Sequence, residues 1–140
     1  MRTDVTFTIV KPTAFKNNYL GPIIEIINRN GFKICGMKQI QISKENAELF
    51  YNIHVGKPFF ESLVHYMTSG PVVVAVLQKE NAVADFRELI GNTDPLKANC
   101  GSIRKMFAES KEANAIHGSD CDENAQNEIS IFFSEEEIFF

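Results

Sequence analysis

Val5, Phe7 and Ile9 alternate with Thr6 and Thr8, the period-two pattern of a half-buried strand that Lys11-Pro12 ends. Leu20, Ile23, Ile24 and Ile27 then recur at helical spacing, and Asn30-Gly31 closes that helix. Phe32, Ile34, Ile40 and Ile42 share one parity and predict a second strand, with a bulge at Gly36. Ser43 caps a short helix carrying Glu45 in its first turn. Pro58 takes the N1 position of the next helix, whose stripe is Phe60, Leu63, Val64 and Met67 and which Gly70-Pro71 breaks. The run 72–77 is short, apolar and valine-rich, as a strand buried on both faces would be. Asn81 caps a helix that turns Val83, Phe86, Leu89 and Ile90 inward and stops at Gly91.

Residues 92–101 form a polar, aperiodic stretch, and loops of that length in compact domains are often functional. Ser102 caps a short helical turn through Ile103 and Phe107. Ser119 and Asp122 read as a capping box for a helix from about Asp122, with Ala125, Ile129 and Phe132 inward. A short last strand is expected over 130–133. The order predicts an α+β, ferredoxin-like βαββαβ fold: a four-stranded antiparallel sheet with helices on one face and a long loop before the segment that holds His117. With no repeat and no linker, residues 1–140 are expected to form a single domain.

Composition narrows the class. The formal net charge is −4, against nucleic acid as a primary partner. The three cysteines, Cys35, Cys100 and Cys121, are scattered, without zinc-like spacing, which fits a reducing compartment. No apolar run could span a bilayer, and no signal-peptide block follows Met1, so no membrane association and a cytoplasmic location are expected.

The stretch Asn114, Ala115, Ile116, His117, Gly118, Ser119, Asp120 carries the most chemistry. Gly118 permits unusual backbone geometry and Ser119 and Asp120 are good N-caps, so the imidazole is expected at a turn before a helix. Glu128 borders the inward face of that helix. There it could pair with His117, fixing its tautomer and leaving the other ring nitrogen free to attack; on the flank it would simply be solvated. His54 and His65 read as surface residues. Phe59 precedes Phe60, and both cannot point inward; Phe59 is either an exposed platform for a base or a hydrophobic staple. Lys11, Arg87 and Arg104 suit phosphate oxygens if they converge, and are solvated charges otherwise. No glycine-rich phosphate loop is present, so a phosphate site here would be built from side chains and metal.

Taken together, these residues resemble the nucleoside diphosphate kinase family over essentially the whole chain. The segment N-A-I-H-G-S-D is similar to its active-site signature. Ile9-Val10-Lys11-Pro12, Lys57-Pro58-Phe59-Phe60, Ser69-Gly70-Pro71, Asn92-Thr93-Asp94-Pro95 and Gly101-Ser102-Ile103-Arg104 follow in the family's order. The resemblance implies a phosphotransferase moving the γ-phosphoryl group of a nucleoside triphosphate to a nucleoside diphosphate. The route is ping-pong, through a phosphohistidine on His117, with Mg²⁺ and broad base tolerance. It implies that Glu128 orients His117 and that Tyr51 stands beside it. Arg87, Thr93 and Arg104 would hold phosphates. Lys11 and Asn114 would bind sugar hydroxyls, Lys11 also reaching the transferred group. Phe59 would stack on the base and Asp120 would meet the metal through water. A homo-oligomer, tetramer or hexamer, is implied too.

Several positions depart from the family's usual residues. Thr13 stands where aspartate is common, Asp94 where asparagine is, Ser102 where threonine is, Cys121 where serine is, and Lys111 where an apolar residue often covers the base. Lys111→Val, which restores an apolar residue there, is expected to tighten nucleotide binding modestly. Two competing readings are a nucleotide-binding protein without turnover and a purely structural domain. The first has no need of a nucleophile with an orienting acid, and the second leaves the polar set unexplained.

Overall fold

The threonines of the first strand, β1 (Val5–Val10), are as buried as its hydrophobic residues. The computed structural model, which describes residues 1–140, shows why. The sheet has the antiparallel order β2 (Lys33–Ile40), β3 (Val72–Gln78), β1, β4 (Ile116–Gly118), and helices cover both of its faces. The strand order is that of the expected ferredoxin-like fold; the one-sided cover is corrected to two.

On one face, α2 (Leu20–Arg29), α5 (Ala82–Ile90) and α6 (Ile103–Phe107) enclose Val10, Phe32, Leu77 and Ile116. On the other, α3 (Lys44–Phe50), α4 (Phe60–Met67) and α7 (Asp122–Phe132) enclose Phe7, Ile9, Val74 and Val76. The short α1 (Pro12–Lys16) leaves the end of β1 and adds Ala14 to the first cluster. The Thr8 hydroxyl is buried at little cost because it donates to the His117 carbonyl at 2.7 Å. No helix is long and apolar enough to cross a membrane.

The bulge expected at Gly36 is present: the β2–β3 register shifts between Ile34 and Gly36. It also overturns the single parity read across it. An extra residue reverses which face later side chains meet. Phe32 and Ile34 therefore join the α2/α5 cluster, while Cys35, Ile40 and Ile42 join the opposite one.

Two boundaries and one cap differ from expectation. The helix at Pro58 begins at Phe60, with proline in the preceding turn. Asn81 does stand at the start of α5, but at φ 57° its side chain reaches Asp85 instead of the helix amides. The strand expected over 130–133 is helix, since α7 runs to Phe132, and the fourth strand is β4, which precedes α7. Past α7 the chain makes a 3-10 turn (Glu135–Glu137) and reaches the β2 bulge. There Phe139 N–H donates to the Cys35 carbonyl at 2.7 Å, and Lys38 pairs with Glu137 at 3.0 Å.

Candidate active site

β4 is three residues long, and its placement is set just upstream. Ala115 has φ 75°, and Ile116 N–H donates to the Asn114 carbonyl at 3.0 Å, closing a γ-turn around a residue with a side chain. Lys11 N–H donates to the Ala115 carbonyl at 2.9 Å and ties this turn to the end of β1. The unusual backbone expected at Gly118 is thus at Ala115. Gly118 serves close approach: a Cβ there would stand 2.8 Å from Ile90 Cδ1 and 3.0 Å from Phe86 Cδ2, both on α5.

In register with Ile9, His117 turns its ring towards the α3/α7 side of the sheet. Its Nε2 lies 2.8 Å from Glu128 Oε1. The same carboxylate oxygen accepts the Ser119 hydroxyl at 2.6 Å. Glu128 therefore takes the inward of its two possible orientations. Ser119, fully buried, is not a helix cap; Cys121 is, its Sγ accepting from Asn124 N–H. The sequence carried a signal for Ser119 that capping propensity masked. Residues two apart in extended chain share a face, so His117 and Ser119 point the same way. Phe50, whose ring packs edge-on to the imidazole at 4.8 Å, was also missed. Tyr51 packs edge-on to Phe50 at 4.9 Å and is buried; burial, then the Glu128 charge, pushes its phenol above the ordinary range.

Burial holds the His117 pKa below the ordinary imidazole value; the Glu128 hydrogen bond and charge oppose this, and Lys11 and Arg104 add to it. The ring is neutral at neutral pH. A carboxylate acceptor at Nε2 assigns the proton to that nitrogen, which leaves the lone pair on Nδ1.

The two arginines converge. Arg87, Thr93 and Arg104 line one cavity of about 170 Å³ with Ile90, Gly91 and Asn92. The Arg104 guanidinium donates to the Gly91 carbonyl at 2.9 Å and the Ile116 carbonyl at 2.8 Å, which joins the cavity to the residue before His117. Burial lowers its pKa to about 10, and its buried Nε has no partner. Lys11 is buried at the end of β1; desolvation, then Arg104, lowers its pKa to about 7. Asn114 is buried with its Oδ1 unpartnered. Thr13, beside Lys11, is engaged by Tyr66, whose hydroxyl donates to Thr13 Oγ1 at 2.9 Å.

Phe59 is 43% exposed at the start of α4, so of its two readings the staple does not hold. His54, expected on the surface, is half-buried and packs edge-on against Phe59 at 5.1 Å. His65 is exposed, as expected. Asp120 is exposed, accepts from Asn124 Nδ2 at 2.6 Å, and lines a cleft with Arg87. No group of three or more histidine, cysteine or carboxylate side chains could cage a metal. A single carboxylate beside a cationic cavity suits Mg²⁺, which keeps waters and is shared with phosphates.

Known proteins resemble this chain over nearly its whole length. The family model for nucleoside diphosphate kinase matches residues 4–138. A nucleoside diphosphate kinase of Nitratiruptor sp. is 57% identical over 133 residues, covering 95% of this chain and 97% of that protein. One of Granulibacter bethesdensis is 52% identical over 138 residues, 99% of each. Among solved structures, the Aquifex aeolicus nucleoside diphosphate kinase aligns with a TM-score of 0.94 at 44% identity, covering 96% of this chain and 98% of that one. A halophilic nucleoside diphosphate kinase of Halobacterium salinarum, in complex with CDP, aligns at 0.95 and 35% identity, over 99% and 93%.

Proposed function

The chain belongs to the nucleoside diphosphate kinase family, an enzyme moving a phosphoryl group between nucleoside tri- and diphosphates, and from that premise we propose that it works through a phosphohistidine on His117. One observation carries the reading: Glu128 holds Nε2 at 2.8 Å, so Nδ1 bears the lone pair. Nδ1 attacks the γ-phosphorus, an N–P bond forms, and the bond from phosphorus to the bridging β,γ-oxygen breaks. The diphosphate leaves with the electron pair. The positive charge that bonding places on the imidazole is balanced by Glu128. A β-phosphate oxygen of the second diphosphate then attacks phosphorus, the N–P bond breaks, and Nδ1 regains its lone pair.

Phosphoryl transfer asks for alignment and charge neutralisation more than covalent chemistry. Arg87, Thr93 and Arg104 hold the phosphates. Lys11 meets the transferred group, which gathers negative charge, and with Asn114 bonds the sugar hydroxyls; the unpartnered Asn114 Oδ1 supports this. Phe59 stacks on the base, and since every base has a π-face this contact discriminates weakly. Phe50 walls the imidazole, and Tyr51 backs Phe50. Asp120 would hold Mg²⁺ through water, and the ion when bound neutralises phosphate charge. Assembly into a homo-oligomer, tetramer or hexamer, belongs to the same reading and is supported by exposed Met37 on β2, the outer strand of the sheet.

Two-substrate initial rates test the order of events. Varying ATP at several fixed GDP concentrations is expected to give parallel double-reciprocal lines, and His117→Gln no transfer. Intersecting lines would indicate a ternary complex and direct transfer. Nucleotide binding with no turnover would favour the binding-protein reading.

A further inference from the structure

Residues 109–112 are tied by side chains to three separate parts of the molecule. Glu109 accepts from Asn17 Nδ2 at 3.3 Å. Glu112 accepts the Ser62 hydroxyl of α4 at 2.9 and 3.0 Å. Lys111 Nζ stands 4.0 Å from Asp94 Oδ2. Ser62 lies three residues after Phe59, on the same side of the helix start. Asp94 adjoins Thr93, a wall of the Arg87–Arg104 cavity. Lys111 therefore lies on the path from the exposed aromatic ring to the cationic cavity.

The two ends of the pair differ. The Asp94 side chain is 15% exposed, while that of Lys111 is 72% exposed. Asp94 is fixed: Oδ1 accepts Leu96 N–H at 3.0 Å, and its own N–H donates to Asn92 Oδ1 at 2.9 Å. A fixed carboxylate beside an anion-binding cavity repels phosphate within a Debye length. An exposed ammonium on a flexible stem can cancel that field and follow the ligand.

We propose that Asp94 and Lys111 form a charge-compensating clasp that sets the affinity of the cleft for phosphate-bearing nucleotides. Lys111 cancels the repulsion from Asp94 and fastens residues 109–112 to the cavity wall. Both are positioning residues, and the proposal rests on the nucleotide reading above. It reverses the expectation for Lys111→Val: with Asp94 intact, loss of the ammonium leaves an uncompensated carboxylate next to the cavity wall and weakens binding.

A double-mutant cycle tests this by calorimetry with ADP. Lys111→Met keeps the apolar stem, and Asp94→Asn keeps the acceptor for Leu96 N–H. At low salt K111M is expected to weaken ADP binding about two- to fivefold and D94N to tighten it by a similar factor. The double variant returns to within about twofold of the parent, and all differences shrink at about 0.5 M salt. Adenosine, which has no phosphate, binds all four proteins alike. Equal effects of K111M in both backgrounds, or equal weakening for adenosine, overturn the clasp while leaving the nucleotide reading intact. No binding of ADP to the parent protein overturns both. Matching thermal melts of the four proteins establish that the variants are folded.

Discussion

The His117 imidazole is held by neighbours that act through different physics. Burial keeps it neutral, Glu128 fixes its tautomer, and Ser119 fixes Glu128. Two outcomes follow. Because burial lowers the His117 pKa, the acid limb of kcat/KM should fall below the ordinary imidazole value of 6.5. Glu128→Gln removes a group that raises that pKa, so the limb should move further towards acid while kcat falls about tenfold or more. A pH–rate profile reads both at once; an unmoved limb would show that Glu128 does not bear on the ring. Lys11 supplies the second outcome. Its pKa near 7 is set by burial and then by the Arg104 charge, and a bound phosphate would raise it. Nucleotide binding above about pH 7 should therefore take up a proton and weaken as pH rises. Calorimetry in buffers of different ionisation enthalpy measures that uptake directly. The linkage to folding has the opposite sign. The unfolded chain binds this proton more tightly, so between about pH 7 and 10.5 this lysine favours the native state as pH rises.

At the scale of elements, the chemistry depends on how a three-residue strand is seated. β4 is held by the γ-turn at Ala115, by Arg104 on the Ile116 carbonyl and by contact of Gly118 with α5. Gly118→Ala would drive a methyl group into Ile90 and Phe86. Overpacking of this kind costs about 1–3 kcal/mol, and here it would also displace the neighbouring imidazole. Urea melts with kcat on the same samples should show stability and turnover falling together. Full stability would mean that α5 gives way freely. Periodicity read the long helices well, since the stripes of α4 and α5 are distinct and each has a clear stop. It failed at β4, where three residues hold no period, and at 130–133, where β-branched and aromatic residues extend a helix. Ser119 was misread because serine before an acidic turn usually caps. Here the cap is Cys121, and the serine is spent inside, on Glu128.

For the whole molecule, the ferredoxin-like class was legible from the first three strands and their helices; His117, expected at a turn before a helix, stands instead within β4, two residues after the turn at Ala115. Two-sided cover of the sheet was not legible, because buried threonines look solvated in a hydrophobic pattern. Nor was the cationic cavity, since Arg87, Thr93 and Arg104 come from α5, the following loop and α6 and meet only in three dimensions. The closing segment was also hidden: Ile138 packs on the β2 face, Phe139 bonds Cys35, and Arg2 lies 3.8 Å over the Phe140 ring. Deleting residues 137–140 should cost about 2 kcal/mol, chiefly the buried-edge Phe139–Cys35 hydrogen bond and the partial burial of Ile138, with the exposed Lys38–Glu137 and Arg2–Phe140 contacts adding little. Melting should fall by about 5–10 °C, with activity at low temperature retained. An unchanged melting temperature would show that the bulge needs no cover.

Intact mass after incubation with ATP and Mg²⁺ bears most directly on the central claim. The account predicts a single phosphoryl adduct that is acid-labile, discharged by GDP and absent from His117→Gln. An unmodified protein that nonetheless forms GTP, or an adduct that survives in the variant, would contradict it.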